Sequence, residues 1–502
     1  MTSRLLLGLD LGTQAVKGVL VDLKGRVVSE ARHNRQPRHP QPHWAEMDPE
    51  RDWWLASVHV IRELLSKANP SQSIEGIGVT ALASCLCPLD SEGRPLRAAI
   101  LYSDNRAVAE LEWVNRQLGT KLSAEAVVPK LLWLKHHEPQ VFERTAVSLT
   151  ANGYVIYKLT RILSMDYDNA SIMGGVFDPH RLVWDQEALR AVGLPPSIFP
   201  QPFPATAVVG KVTKEAAEMT GLPSGIPVIA GTGDTFPTIV GCGAIHPGDA
   251  MISYGTTGLL TLTARPLVEV VAGPHFQDDV SGGAVRWGAN VLTAGRLAQW
   301  FRDQFAQAEL SVAQRLKCSE FVLLEGEAKE IPPGANGLIA LPHFSGRRTP
   351  TPNPYLRGAI LGLTPAHTPA HVYRSLLESF AFNIRQGYEP LREQIRRLIA
   401  TGGGASSELW RQIMADVLNT QLIYYPKASG ALGIAYLCGY ALGLIPDFET
   451  IQHEWLAEAS LTQPDPQQVG LYQRLFEYYC RLDRTLEGFF TQIGQEPHGI
   501  TC

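Results

Sequence analysis

The sequence predicts a two-domain α/β protein, on three observations. At 502 residues the chain exceeds what one compact core usually serves. Short apolar runs bounded by Gly, Thr and Asp alternate with segments of helical period along its length. A strand–turn–strand unit at the N-terminus is also echoed near half the chain later. Asp10-Leu11-Gly12-Thr13 and Ser253-Tyr254-Gly255-Thr256 each stand between two apolar runs. Duplication explains the echo, with domains at 1–244 and 245–502. Gly-Thr is a common dipeptide, so chance likeness stays open beside it.

The elements follow in order. Leu5–Asp10 and Gly18–Asp22 are apolar runs separated by turn chemistry, and a short third strand sits at Val27-Val28. This strand–hairpin–strand order disfavours a dinucleotide-binding βαβ opening. Residues 33–49 are rich in Pro and His and predict a loop. A helix is expected from Pro49 to Ala68, with Trp53, Trp54, Ala56, Val60, Ile61, Leu64 and Leu65 on its apolar positions. Gly76–Thr80, Ala98–Asp104 and Pro227–Ala230 read as strands, and the stretch from Ala250 (AMISYGTTGLLTLTA) as a second strand–turn–strand unit. Helices are expected at 294–307, 369–387, 407–419 and 467–489, with a strand near 397–401.

Composition excludes several classes. With 45% apolar and 19% charged residues and a net charge of −5, the chain has neither a disordered bias nor a basic block for nucleic acid. Apolar runs such as Leu5–Leu9 are too short to span a bilayer. Asp10 interrupts the N-terminal run, which reads as a buried strand and not as a signal peptide. Seven cysteines, scattered apart from Cys85 and Cys87, fit reduced thiols in a cytoplasmic enzyme better than disulfides or zinc.

Five motifs carry chemistry. In DLGTQAVK (10–17), a strand-end carboxylate precedes a Gly-Thr turn. Asp10 suits a hydrated Mg²⁺, and the Gly12-Thr13 amides and Thr13 hydroxyl suit phosphoryl oxygens; a surface β-turn with Lys17 outside reads equally well. In GTGDTFPTIVG (231–241), Asp234 stands where a strand passes into a helix, placed to take a proton from an attacking hydroxyl. A helix N-terminus there would hold it ionised, although a plain N-cap Asp fits the same spacing. SYGTTG (253–258) offers Gly255, Thr256 and Thr257 as donors without a metal carboxylate. In ATGGGASSELWRQIMADVLN (400–419), Gly402, Gly403, Gly404, Ala405 and Ser406 form a strand–helix loop flat enough for an adenosine, with Ser406 as the expected N-cap and Leu409, Ile413 and Val417 as the helix's apolar stripe. LYSDNRA (101–107) puts Asp104 and Arg106 past a buried strand, where a polyol would want hydrogen-bonding groups or a salt bridge could simply be solvated.

Taken together and in order, these stretches resemble the FGGY carbohydrate kinase family. The resemblance extends through HWAEMDPERDWW (43–54), PKLLWLKHHEP (129–139), MDYDNAS (165–171) and LPHFSGRRTPTPNPYLRGAILGLT (341–364), so it spans essentially the whole chain. It implies a two-domain actin-like ATPase (ribonuclease H-like) fold with an interdomain cleft, residues 1–244 on the sugar and metal side and 245–502 on the ATP side. It implies ATP and Mg²⁺ as cofactors, Asp234 as catalytic base, Asp10 with Asp234 at the metal, and Gly12, Thr13, Lys17, Gly255, Thr256 and Thr257 at phosphate. Gly402–Ser406 would lie at adenosine, and Ala83, Ser84, Asp104, Arg106, Asp234 and Thr235 at the sugar.

Three departures concern the sugar. Xylulokinase-like members carry a Met-His pair where this chain has Ala83-Ser84, and Asn where it has Thr235. They carry Glu in the signature GERTP, where it has Arg347. The expected substrate is a ketopentose of the xylulose or ribulose type, with an erythritol- or glycerol-type polyol as the alternative; a homodimer is compatible with the sequence. A non-kinase actin-like ATPase and a sugar-binding protein without chemistry are the competing classes. The first lacks any peptide-binding β-domain, and the second would have no need of both Asp10 and Asp234.

Overall fold

The computed structural model describes residues 4–69, 72–271, 273 and 284–495. The chain forms two compact units. Unit 1 comprises Met1–Ile245, Arg265–Ala284 and Lys427–Ala457, and unit 2 His246–Ala264, Val285–Pro426 and Glu458–Cys502. The segment Lys427–Ala457 returns to unit 1 after most of unit 2 has been traversed.

Among the described residues, unit 1 is built on a seven-stranded sheet. Val27–Asn34, Ala15–Asp22 and Arg4–Leu11 form an antiparallel meander. Ser73–Ala81 runs parallel to Arg4–Leu11, and Pro227–Ile229 runs parallel to Ser73–Ala81. Val208–Lys211 closes that edge antiparallel, while the short Thr232–Gly233 also pairs with Ser73–Ala81. The sheet of unit 2, six-stranded among the described residues, repeats the scheme. Val285–Val291, Gly258–Thr263 and Asp249–Tyr254 form the meander, Arg397–Thr401 and Leu422–Tyr424 continue it in parallel, and Ser460–Thr462 closes it antiparallel. Order and sense agree strand for strand, which favours duplication over a chance likeness of two turns.

The first strand is apolar on both faces because both faces are covered: Leu5, Leu6, Leu7, Leu9 and Leu11 are all buried. One cover is the helix Ala56–Lys67, through Val60 and Leu64 over Gly18. The other is Gly430–Ala441, a helix that is apolar all round and lies on the sheet through glycines. A Cβ on Gly8 would fall 2.0 Å from the Ala431 carbonyl oxygen, and one on Gly78 2.5 Å from that of Ile434. A Cβ on Gly433 would fall 1.8 Å from the Pro237 carbonyl oxygen. Backbone thus rests directly on backbone, an approach that only glycine allows.

Three expectations need correction. The helix from Pro49 opens as a π-helical stretch, Pro49–Leu55, whose cap is the Asp48 carboxylate accepting the Glu50 and Arg51 amides, before the α-helix Ala56–Lys67 begins. The strand expected over Ala98–Asp104 is only Ala99–Ile100. Beyond it the chain turns, because the Asp104 carboxylate gathers the amides of Ala45 and Arg106. The expected loop at 33–49 also contains a strand, Glu46–Met47, paired with Ala99–Ile100.

Candidate active site

In unit 1, three strand ends lie side by side. Asp10, at the end of Arg4–Leu11, is in register with Lys17 across the hairpin and with Thr80 on the parallel strand. Thr80 is in turn in register with Thr232. From Thr232 the chain passes through Asp234 into the helix Thr235–Gly241. The helix Gly430–Ala441 begins at the same place, since a Cβ on Gly430 would lie 3.2 Å from both Asp10 Oδ2 and Thr238 Oγ1.

Asp234 occupies the N-cap position, but its side chain caps nothing. A bland capping role therefore does not account for it. The expectation that the helix end would keep it ionised is overturned: burial first, and the Asp10 charge second, lift its pKa to about 7. A helix of seven residues has too weak a dipole field to offset that loss of solvation. Burial also raises Asp10, against the opposing pull of Lys17 and Arg35. Asp10, whose charge raises Asp234, brings a second set of carboxylate oxygens close to it, the donor type a hard cation takes. Among the described residues no cluster of three or more His, Cys, Asp or Glu could enclose a metal. One or two carboxylates suffice for a Mg²⁺ that keeps its waters and arrives with phosphate, so the residues present fit that ion.

Around this pair the predicted residues divide. Ala83 lies beside the loop that carries Asp234, a Cβ on Gly233 falling 3.2 Å from its own. Ser84 is buried with φ of 59°, a left-handed backbone unusual for serine and frequent at functional loops. The Thr235 hydroxyl is 3.4 Å from Asp234 Oδ1. Asp104 and Arg106 are different. Both side chains are fully buried, Arg106 bonding Asp104 and Glu46 at 2.7 Å each. The Arg106 guanidinium also lies 3.7 Å from the centre of the Trp44 ring. This is an interior ion-pair cluster, in which Arg106 Nη1 is buried without a hydrogen-bond partner.

Sequence reading passed over Tyr102 and Lys130. The Tyr102 hydroxyl is 3.3 Å from Thr13 Oγ1, and its ring is close enough for Asp234 to act on its ionisation. Lys130 is wholly buried, donates to the Glu125 carbonyl at 3.1 Å, and is lowered to about 8 by that burial. An aromatic following a strand end and a lysine inside the apolar run VVPKLLW were the available signals.

In unit 2, Ser253 is in register with Thr401, as Asp10 is with Thr80. The Gly255–Thr257 turn follows Ser253, and the glycine loop follows Thr401. The three glycines are not equivalent. Gly402 has φ of 88° and packs against the Tyr254 backbone, and a Cβ on Gly404 would lie 2.6 Å from the Trp410 ring. At Gly403 a Cβ would meet nothing within 4 Å. The N-cap of the following helix is Ser407, accepting the Trp410 amide at 3.1 Å, not Ser406, whose hydroxyl donates to the Gly403 carbonyl at 2.8 Å. Leu409, Ile413 and Val417 are buried as expected.

The model of the FGGY carbohydrate kinase N-terminal domain matches residues 5–241, and that of the C-terminal domain residues 250–442. The chain belongs to the FGGY family of carbohydrate kinases. It is an ATP-dependent sugar kinase with the actin-like ATPase fold of that family. It is 30% identical to a xylulose kinase of Bacillus subtilis (strain 168), over 94% of this chain and 95% of that one. To a gluconokinase of Bacillus licheniformis it is 28% identical, over 100% and 99%. The crystal structure of a xylulose kinase from Rhodospirillum rubrum superimposes with a TM-score of 0.79 at 30% identity, over 97% of this FGGY kinase and 100% of that chain. Among the described residues no helix is long and apolar enough to cross a membrane.

Proposed function

We propose that this FGGY kinase transfers the ATP γ-phosphoryl group to a hydroxyl of a ketopentose, with Asp234 as the base that takes the hydroxyl proton. The observation that carries this is the state of Asp234: a carboxylate with no capping bond, desolvated, beside a second carboxylate, with a pKa of about 7. A base of that strength is matched to accepting a proton near neutral pH. The Thr13 turn and Lys17 would hold phosphoryl oxygens, and Asp10, with Asp234 beside it, would hold Mg²⁺. Bound there with ATP, the ion would neutralise charge developing on the transferred group. In unit 2, the Gly255–Thr257 turn would take phosphate, and Gly403, open where its neighbours are packed, the adenosine.

A neutral sugar fits better than an aldonate. Arg35 and Arg106 donate to acceptors within the protein, and Lys130 is fully buried. These three cations offer no surface to a substrate carboxylate. The xylulose kinase relatives agree with that preference, and the gluconokinase relative names the competing substrate.

The test is a coupled ADP-release screen over pentuloses, hexuloses, C3–C5 polyols and gluconate, run on the wild-type protein and on Asp234→Asn. A pentulose should give the highest kcat/KM, and the variant should lose roughly 10²–10⁴-fold in kcat while remaining folded. Full sugar-dependent turnover by Asp234→Asn would remove its role as base, and a preference for gluconate would remove the ketopentose.

A further inference from the structure

The Gly12 carbonyl, at the tip of the first hairpin, is held from behind. Arg35 donates to it from Nη2 at 2.6 Å and from Nε at 3.2 Å. The remaining Arg35 nitrogen, Nη1, donates to the Asp52 carbonyl, and the Arg35 backbone amide donates to Gln14 at 2.9 Å. In a trans peptide the C=O and the N–H point in opposite directions. Fixing the Gly12 carbonyl toward the guanidinium therefore turns the Thr13 N–H away from it.

The turn of unit 2 uses the same device with different atoms. The Gly255 carbonyl accepts the Gly295 amide at 2.8 Å, and the Thr256 carbonyl accepts the Ala294 amide at 3.1 Å. A Cβ on Gly295 would lie 2.7 Å from the Gly255 oxygen. In each duplicated hairpin the glycine carbonyl is thus turned back into its own unit. A helix-start amide does this in unit 2, and the Arg35 side chain does it in unit 1.

We propose that Arg35 is a positioning residue for phosphoryl transfer, orienting the Thr13 amide, through the Gly12 carbonyl, toward the phosphate oxygens of ATP. This rests on the reading of the Gly12-Thr13 turn as a phosphate site. Arg35 itself touches no substrate. It is buried, and its donors point at backbone oxygens. A charged donor holds a carbonyl more firmly than a neutral one does, which suits a turn that has to keep one orientation as the nucleotide comes and goes.

The experiment compares full-length wild type, Arg35→Lys, Arg35→Met and Gly12→Ala for affinity toward Mg-AMPPNP and toward adenosine, with thermal melting recorded on each. Adenosine has no phosphate and reports any general damage. Arg35→Lys, which keeps one donor, should weaken Mg-AMPPNP about 10-fold and Arg35→Met about 100-fold, with adenosine affinity unchanged. If Arg35→Met does not fold, Arg35→Lys decides. Unchanged Mg-AMPPNP affinity in the Arg35 variants overturns the proposal, as does an equal loss for adenosine. Gly12→Ala separates the two readings. If it weakens Mg-AMPPNP while the Arg35 variants do not, only the positioning role fails. If neither does, the phosphate turn fails with it.

Discussion

The Thr80 hydroxyl donates to the Thr232 carbonyl at 2.8 Å, two residues before Asp234. The Thr232 hydroxyl donates in turn to Asp168 Oδ2 at 2.9 Å. Both bonds are buried, so the segment that carries the proposed base is held through its backbone on one side and its side chain on the other. Thr232→Val keeps the shape and leaves the buried Asp168 oxygen without this donor, at a cost of about 1–3 kcal/mol in stability. Because a small displacement of a base is amplified in rate, kcat should fall roughly 10-fold or more, with little change in KM for ATP. Thr232→Ser should restore most of it. Steady-state kinetics on both variants checks this, and equal activity in Thr232→Val and wild type would contradict it.

The Asp234 pKa has two consequences of opposite sign. The proposed base works ionised, so kcat/KM for the sugar should fall as pH drops into the acid range. Stability should run the other way. The folded protein holds a proton that the unfolded chain, with its ordinary carboxylate value of 3.8, releases earlier. Between that value and about 7, nucleotide-free stability therefore falls as pH rises. Asp234→Asn never buries a charge, so it should melt above wild type at pH 8, and the gap should narrow toward pH 4. Calorimetry across that range is the measurement, and an inactive variant that melts lower at pH 8 would refute the assignment of cause.

The glycine loop separates packing from binding. A Cβ on Gly404 would be driven into the Trp410 ring, and Gly402 holds a left-handed backbone. Alanine at 404 should cost about 1–3 kcal/mol through overpacking. Alanine at 403 meets no neighbour, so the fold should tolerate it, with a melting temperature close to wild type. If the open space at 403 is where adenosine lies, Gly403→Ala should raise KM for ATP several-fold. A loss of stability at 403 with unchanged KM would reverse the two roles.

What could be read from sequence is what short range decides. The two hairpins were legible because a Gly-Thr turn between apolar runs has few other solutions, and Asp234 because PVIA followed by Gly-Thr-Gly-Asp marks a strand passing into a helix. The helix Gly430–Ala441 was missed: GALGIAYLCGYA has no polar face to phase it, and its seat is made by Gly8, Gly78 and Gly433 meeting across long separations. The tie from the Ala45 amide to the Asp104 carboxylate is not legible for a related reason, since the two lie 59 residues apart. The Asp234 pKa was expected on the wrong side because burial, which dominates it, is a property of the fold and not of the local helix end.

Arg347, which stands where the family signature carries Glu, tests how far this chain has diverged from its relatives. It donates to Asp483 at 2.9 Å and to Glu487 at 2.7 Å, both on the helix Pro466–Gln495, and His343 meets Asp483 at 2.9 Å. Burial would raise Asp483, but His343 and Arg347 together outweigh it and hold the carboxylate below its ordinary value. Restoring the family residue should therefore harm this protein. Arg347→Glu would set a third carboxylate against two, and losing one partner of a buried pair costs about 3–5 kcal/mol. The pH dependence gives the sign. In wild type the depressed Asp483 contributes stability above its unfolded value of 3.8, lost as pH falls through the folded value. In Arg347→Glu the crowded acids gain by protonation, so stability should rise as pH falls toward 5. Asp234 gives both proteins the same rise toward pH 5, so melting curves at pH 5 and 8 should show a steeper rise in Arg347→Glu, and equal slopes would show that Arg347 does not govern the charge state of this cluster.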